Sequence, residues 1–331
     1  MDRKYRVCMI TGCIATLFLA LIALCLGQYT IALQDVIKVL TLQEVDLVNA
    51  ETVIFNIRIP RILVSLIVGS GLATAGASFQ ALFSNPLATP DTLGCANGAS
   101  FGAALGILLG LNALGIQISA LIFGILAVVL VFVFTRYRHA NQIMMIILGG
   151  MVVSSLFSAL VSLIKYVADP NDVLPVITFW LMGSFSNSTV RSLYTGVPMI
   201  ILGMMILYLM RYRMNALSLK EEEAASLGIN VRQNRMIVII ASSLITASVV
   251  SMCGVVGWVG LLIPHISRML FGNNHTKVIP GCIVFGALFM LVIDTIARCM
   301  YQAEIPVSIL TAIIGAPVFL LLLRKTGGIE I

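Results

Sequence analysis

The chain has 331 residues, of which 60% are hydrophobic and 10% are charged. Soluble domains carry charge at about a quarter of their positions, so this composition, with a mean hydropathy of +1.06, excludes a soluble globule. The net charge of +6 does not predict nucleic-acid binding, because membrane proteins collect Lys and Arg in cytoplasmic loops. The sequence predicts an all-α, polytopic helical membrane protein with one transmembrane domain, residues 1–331.

An apolar run of about 18 residues can cross the hydrocarbon core, and such runs predict about ten spans in this chain. The first is interpreted as an uncleaved helix, because Leu24 precedes Cys25 and no small-residue cleavage site follows. The predicted spans are about Val7–Leu26, Pro60–Phe83, Leu93–Leu111, Ile116–Thr135, Ile143–Tyr166, Leu193–Met210, Met236–Val256, Trp258–Phe271, Val278–Met300 and Val307–Leu323.

Two segments between the spans have distinct patterns. The polar connection 211–235 holds three consecutive glutamates, Glu221 to Glu223, followed by Gly228. Acidic residues suit the first turn of a helix and glycine suits its end, so a short helix is expected there. The segment of about 170–190 contains the apolar piece Val176–Phe185, which is too short to span and is predicted to be re-entrant or interfacial.

The orientation follows from the distribution of the 20 Lys and Arg residues. With both termini in the cytoplasm, most of these charges fall on the cytoplasmic side, as the positive-inside rule requires. This arrangement places connection 211–235 in the cytoplasm. It leaves Arg58, Arg61 and Arg298 at the outer ends of their helices, where they are predicted to form an outer basic patch for an acidic partner or to reach lipid phosphate.

Spans two to five and spans seven to ten form two sets with opposite starting orientations. Each set contains a region broken by proline, at Asn85–Pro90 and at Pro264. Inverted repeats in transporters have this organisation, so we expect an inverted repeat here.

Span three carries a glycine at every fourth position, so the five glycines are expected to share one helix face. Such a face lets another helix approach backbone to backbone, which predicts helix packing or a smooth lining for a path. The five residues are Gly94, Gly98, Gly102, Gly106 and Gly110.

Asp294 and Arg298 are four residues apart in span nine, so both side chains lie on one helix face. A charge inside a span is costly unless it is paired or faces water. The spacing predicts a structural ion pair, or an Asp294 carboxylate that steadies an outward-pointing Arg298.

Several expected signatures are missing from the sequence. No G-x-x-x-x-G-K-[ST] loop occurs, so the chain has no phosphate-binding loop of that kind for ATP, and no metal site or cofactor is expected. A secondary transporter would need ion ligands inside the spans, where only Asp294 is available. The G-x-S-x-G match at Gly98–Gly102 lies in a predicted span, which disfavours a membrane enzyme. Transport would then need energy from another subunit.

Several segments, in order along nearly the whole chain, resemble one known family, the FecCD-type permease subunits of bacterial ABC importers for iron chelates and vitamin B12. These segments are RIPRIL (58–63), GASFQALFSNPLATPDTLG (76–94), NGASFGAALG (97–106), FWLMGSF (179–185), EEEAASLGIN (221–230), GWVGLLIPHISRMLFG (257–272) and DTIARCMYQAEIPVSILTAIIGAPVFLLLLRK (294–325).

The resemblance implies a non-enzymatic permease subunit in the bacterial cytoplasmic membrane, that is, the plasma or inner membrane. It implies a second permease subunit, either an identical copy or a paralogue, with the path on the dimer axis. It further implies cytoplasmic ABC ATPase subunits, an extracytoplasmic substrate-binding protein and a small-molecule metal chelate as cargo. An iron(III)–siderophore complex is the predicted cargo, and heme, cobalamin and molybdate are the alternatives.

The resemblance also implies roles for particular residues. Arg58, Arg61 and Arg298 match the family positions that meet acidic residues on the binding protein. Lys220 departs from the pattern, because the family often has Gly at this position. The positions that match the ATPase contact are Leu219, Glu221, Glu222, Glu223, Ala224, Ala225, Leu227 and Gly228.

Overall fold

The computed structural model describes residues 3–43, 47, 49–135, 142–186, 190–219, 221–301 and 303–325, and the regular elements in these ranges are helices. They are α1 (Arg3–Cys25), α2 (Leu33–Leu40), α3 (Ala50–Leu82), α4 (Cys95–Leu108), α5 (Ala113–Thr135), α6 (Gln142–Val167), α7 (Val173–Leu181), α8 (Val190–Leu217), α9 (Glu221–Ser226), α10 (Val231–Cys253), α11 (Val259–Phe271), α12 (His275–Cys299) and α13 (Val307–Lys325), with a 3-10 helix at Pro90–Leu93.

The ten predicted spans correspond one to one with ten of these helices. By length and composition, α1, α3, α5, α6, α8, α10 and α12 are candidate membrane spans, and α4, α11 and α13 are shorter apolar helices. The largest difference is the start of α3, which begins at Ala50 and not near Pro60. A π-helical turn, Val53–Arg58, directly precedes the proline. Such local adjustments let a helix continue past the missing proline N–H.

Helix α3 lies at the centre of the bundle, with 83% of its most apolar stretch buried, and α10 follows with 72%. Small residues make this central position possible. A methyl group on Gly69 would overlap the carbonyl oxygen of Gly286 in α12, and one on Gly76 would overlap that of Gly260 in α11. The backbones therefore approach closely at both crossings, which is how helices pack where side chains are small.

The two predicted sets of spans share an order of elements. A long, buried helix (α3 or α10) is followed by a non-helical break, a short helix (α4 or α11) and two further helices. The predicted second break at Pro264 is wrong, because Pro264 lies inside α11. The break precedes α11, where Gly254 has φ +73° and Trp258 has φ +68°. The inverted symmetry itself stays a prediction.

The predicted re-entrant or interfacial segment contains α7, which has nine residues and is therefore only about 14 Å long. Its buried Ile177 packs with Ala104 of α4 and with Ile164 and Ala168 at the end of α6. Helix α7 thus lies against the bundle without crossing it. The last predicted residues of the segment, 187–189, lie outside the described residues.

Candidate functional site

The short helix predicted in connection 211–235 is present as α9, Glu221–Ser226. Its end has the expected form: the Gly228 N–H donates to the Ala225 carbonyl at 2.9 Å, and Gly228 has φ +75°. Glycine favours this left-handed conformation because it has no Cβ. The short helix and its glycine end are therefore found where the sequence predicts them.

Ala224 is the buried side chain among the described residues of α9. It is 1% exposed and belongs to the same core cluster as Met214, Leu217 and Val231. Leu227, which follows the helix, is 62% exposed. Leu219, Glu222, Glu223 and Ala225 are also exposed, whereas the side chains of Lys220 and Glu221 lie outside the described residues. Helix α9 therefore presents a mixed acidic and apolar surface that a partner can contact.

At the opposite end of the bundle, Arg61 bridges α12 and the connection that follows it. Its Nε donates to Asp294 Oδ1 at 2.8 Å and its Nη1 donates to Glu304 Oε1 at 2.5 Å. Asp294 is fully buried and Arg61 is 5% exposed. A buried charge is tolerated when it is paired and hydrogen-bonded, so Arg61 is the group that allows a carboxylate inside α12.

The other two arginines bind the last turn of α1. Arg58 donates to the carbonyls of Leu24 and Tyr29, and Arg298 donates to the carbonyl of Ala23. The last carbonyls of a helix have no partners within the helix, and the negative end of the helix dipole favours a cation. The two guanidinium groups thereby fix α1 to α3 and α12.

One predicted pair among these residues needs correction, and all three arginines are buried. Arg58, Arg61 and Arg298 are 4–5% exposed and bonded inside the chain. The predicted pair of Asp294 with Arg298 is replaced by the pair of Asp294 with Arg61. Sequence spacing suggested the neighbour four residues away, whereas packing brought a side chain from another helix closer. Direct contact of these arginines with a binding protein stays a prediction.

Glu304 was not a predicted site residue, although its carboxylate completes the bridge from Arg61. A signal was present in the sequence. A carboxylate beside the end of a span generally needs a partner, and three unassigned arginines were predicted at the same end of the bundle.

The five glycines of span three do not all share one helix face. Gly98, Gly102 and Gly106 lie in α4 and face α5, where added methyl groups would meet Phe123, Ser119 and Ile116. Gly94 and Gly110 lie outside α4, with φ +73° and +66°. The structure therefore uses three of these glycines for close packing and the other two as left-handed residues at the ends of the helix.

A small cavity lies between α3, the 3-10 helix and α11. Leu72, Asp91, Thr246 and Trp258 are among the residues that line it, and its volume is about 30 Å³. This volume holds a single water molecule and is far too small for a metal chelate. In the described part of the chain, no group of three or more His, Cys, Asp or Glu side chains is placed to hold a metal ion.

The fold and these two ends of the bundle define a polytopic helical membrane protein. The model of the FecCD transport family matches residues 15–325. The chain is 43% identical to the molybdate import system permease protein MolB of Haemophilus influenzae, over 92% of both chains. It is 34% identical to a "Probable iron chelatin transport system permease protein" of Helicobacter pylori, over 96% of this chain and 98% of the relative.

A solved structure gives the same result for the fold. An inward-facing metal-chelate type ABC transporter superposes with a TM-score of 0.89 at 40% identity, covering 97% of this chain and 99% of that one. The chain therefore belongs to the FecCD transport family, the ABC importer permeases that its sequence resembles.

Proposed function

We propose that this chain is the membrane-spanning subunit of an ABC importer, in which α9 receives the motion of a separate ATPase. The exposed surface of α9 carries this proposal. Among the described side chains of α9, Ala224 is buried and the others are exposed, and the helix joins two long candidate spans, α8 and α10. A force on α9 is therefore transmitted directly to both spans.

The transport step requires no covalent chemistry by this chain. A loaded binding protein docks at the end of the bundle that holds Arg61, and ATP binding in the partner subunits displaces α9 at the other end. The long helices then shift relative to one another at the crossings where glycines bring their backbones close together. As a result, the path opens alternately to each side of the membrane. We place the path between two permease subunits, as the family resemblance implies.

Reversing the charge of α9 tests the ATPase contact. Replacing Glu221, Glu222 and Glu223 with lysine should lower co-purification of the ATPase by roughly tenfold, because two or three lost charge contacts together remove about 1.4 kcal/mol. The measurement is the ratio of ATPase to permease after detergent purification. Replacing Asp169 and Asp172 with lysine is the matched control, since these exposed acids lie beside α7 at the other end of the bundle. Unchanged co-purification of the glutamate variant would contradict the assignment.

The cargo is proposed from two relatives whose names mention different cargoes. An iron(III)–siderophore complex is the cargo that the sequence resemblance predicts. Molybdate is the second candidate, and the identity of 43% to MolB, against 34% to the iron chelatin relative, favours it. Heme and cobalamin remain alternatives from the resemblance.

An uptake assay decides between these cargoes. Cells that carry this permease with its ATPase and binding protein should accumulate one of ⁹⁹Mo-molybdate, a ⁵⁵Fe(III)–hydroxamate siderophore, heme or ⁵⁷Co-cobalamin. Uptake of that cargo should be at least about tenfold lower in a strain that lacks the permease, as expected when the only route for a cargo is removed. Uptake of molybdate without uptake of the iron complex would reject the siderophore. No difference for any of the four would reject this set of cargoes.

A further inference from the structure

The ends of α8 and α12 are joined by a cluster of polar side chains beside the start of α9. Asn215 lies in the last turn of α8, and Ser218 follows that helix directly. Asn274 and His275 are the cap and the first residue of α12. These four residues, which we call the base cluster, are not among the predicted site residues, and no step above uses them.

Three hydrogen bonds cross between the two helices in this cluster. The His275 backbone N–H donates to Asn215 Oδ1 at 2.8 Å. Asn215 Nδ2 donates to Asn274 Oδ1 at 3.0 Å, and His275 Nε2 lies 3.3 Å from Ser218 Oγ. Asn215 therefore uses both ends of its amide to hold the N-terminus of α12.

The direction of the third bond follows from its neighbours. The Ser218 hydroxyl donates its proton to the Met214 carbonyl at 2.9 Å, so towards His275 this oxygen acts as an acceptor. His275 must then carry a proton on Nε2 and donate it. His275 is 6% exposed, whereas Ser218 is exposed, so the bond lies at the edge of the bundle with its imidazole buried.

Helix α12 connects the base cluster to the arginine groups at the other end of the bundle. It has 25 residues and is therefore about 37 Å long. Asp294, near its far end, pairs with Arg61 of α3, and Arg298 binds the end of α1. Both ends of one rigid helix are thus bonded to other elements, one beside α9 and the other where we place the binding protein.

We infer that Asn215 and His275 are positioning residues that couple the ATPase contact at α9 to α12. This inference rests on the proposed function. Displacement of α9 moves the last turn of α8, the base cluster carries that movement to α12, and α12 transmits it to the Arg61 pair. Such a route is established only by measured coupling between the two ends, so the test must measure coupling and not stability alone.

The experiment measures ATP hydrolysis by the reconstituted complex of permease, ATPase and binding protein in liposomes, with and without the binding protein. Asn215→Ala should reduce the stimulation by the binding protein roughly threefold or more, as for residues that carry coupling between distant sites. Basal hydrolysis should stay within about twofold, because α9 and its surface are unchanged. Asn112→Ala is the matched control, since Asn112 only caps the start of α5 through Gly115 N.

A second pair of variants separates coupling from simple packing. Glutamine can place a donor near the position of His275 Nε2, whereas leucine cannot. His275→Gln should retain the stimulation and His275→Leu should lose it. Adding Ser218→Ala to His275→Leu should cause no further loss, because the two residues act through one bond.

Three results would overturn the inference: normal stimulation in Asn215→Ala, normal stimulation in His275→Leu, or equal losses in His275→Gln and His275→Leu. These failures differ from a failure of the proposed function. If the unmodified permease neither binds the ATPase nor supports stimulated hydrolysis, the ABC importer assignment fails before any variant is compared.

Discussion

Replacing Arg61 with alanine is expected to lower the unfolding temperature of the detergent-solubilised protein by roughly 10 °C, as about 3–5 kcal/mol is lost when one partner of a buried ion pair is removed. Asp294 is completely buried and pairs with Arg61, so removal of Arg61 would leave its carboxylate buried without that cation. Glu304 loses the same partner at 2.5 Å. Thermal unfolding followed by tryptophan fluorescence or gel filtration measures the change.

Two further variants control the Arg61 experiment. Arg232→Ala removes an exposed arginine from the first turn of α10 and should leave the unfolding temperature unchanged within about 2 °C, as surface substitutions usually do. Arg61→Lys should have an intermediate effect, because lysine keeps the charge but loses the planar fork that reaches two carboxylates. A stable Arg61→Ala protein would show that the buried pair contributes little.

Replacing Gly76 with valine is expected to prevent assembly of the folded bundle. Even the first carbon of the new side chain would overlap the Gly260 carbonyl group, and these are backbone atoms that cannot rotate away. Overpacking of a close core typically costs about 1–3 kcal/mol and sometimes more, and α3 is the central helix here. The measurement is the yield of monodisperse protein on gel filtration, which should fall at least about fivefold.

Gly257 provides the matched control for Gly76. It lies just before α11, close in sequence to Gly260, but a methyl group added there would meet no atom within 4 Å. Gly257→Ala should therefore give a normal yield, whereas Gly76→Ala should already be reduced. Equal yields for the two alanine variants would mean that α3 and α11 separate at little cost.

The sequence was sufficient to predict the helices and to recognise the family. Long apolar runs must be helices in a membrane because every backbone group needs a partner there, and the order of the ten spans follows from that requirement. The glutamates and Gly228 positioned α9 in the same way, through local effects on one short helix. Local chemistry and the solvent determine both features.

The contacts between helices were less accessible from the sequence. The four-residue spacing of Asp294 and Arg298 suggested a pair, but the partner of Asp294 is Arg61, which lies 233 positions away. The burial of Arg58, Arg61 and Arg298 could likewise not be predicted from the sequence. A positive residue near the end of a span is normally expected to be exposed, and the sequence does not show which helix will cover it. The break near Trp258 was misplaced for a related reason, since Pro264 is tolerated inside α11 by its packed neighbours.

The sequence alone thus determined the class of fold, the order of the apolar helices, the family and the short helix α9, because these depend on hydropathy, local propensity and a recognisable series of motifs. The tertiary structure decided which charges pair, which glycines form crossings and how Asn215 and His275 join α8 to α12. Those facts depend on which helices become neighbours, and distances across a bundle are not encoded in spacing along one helix.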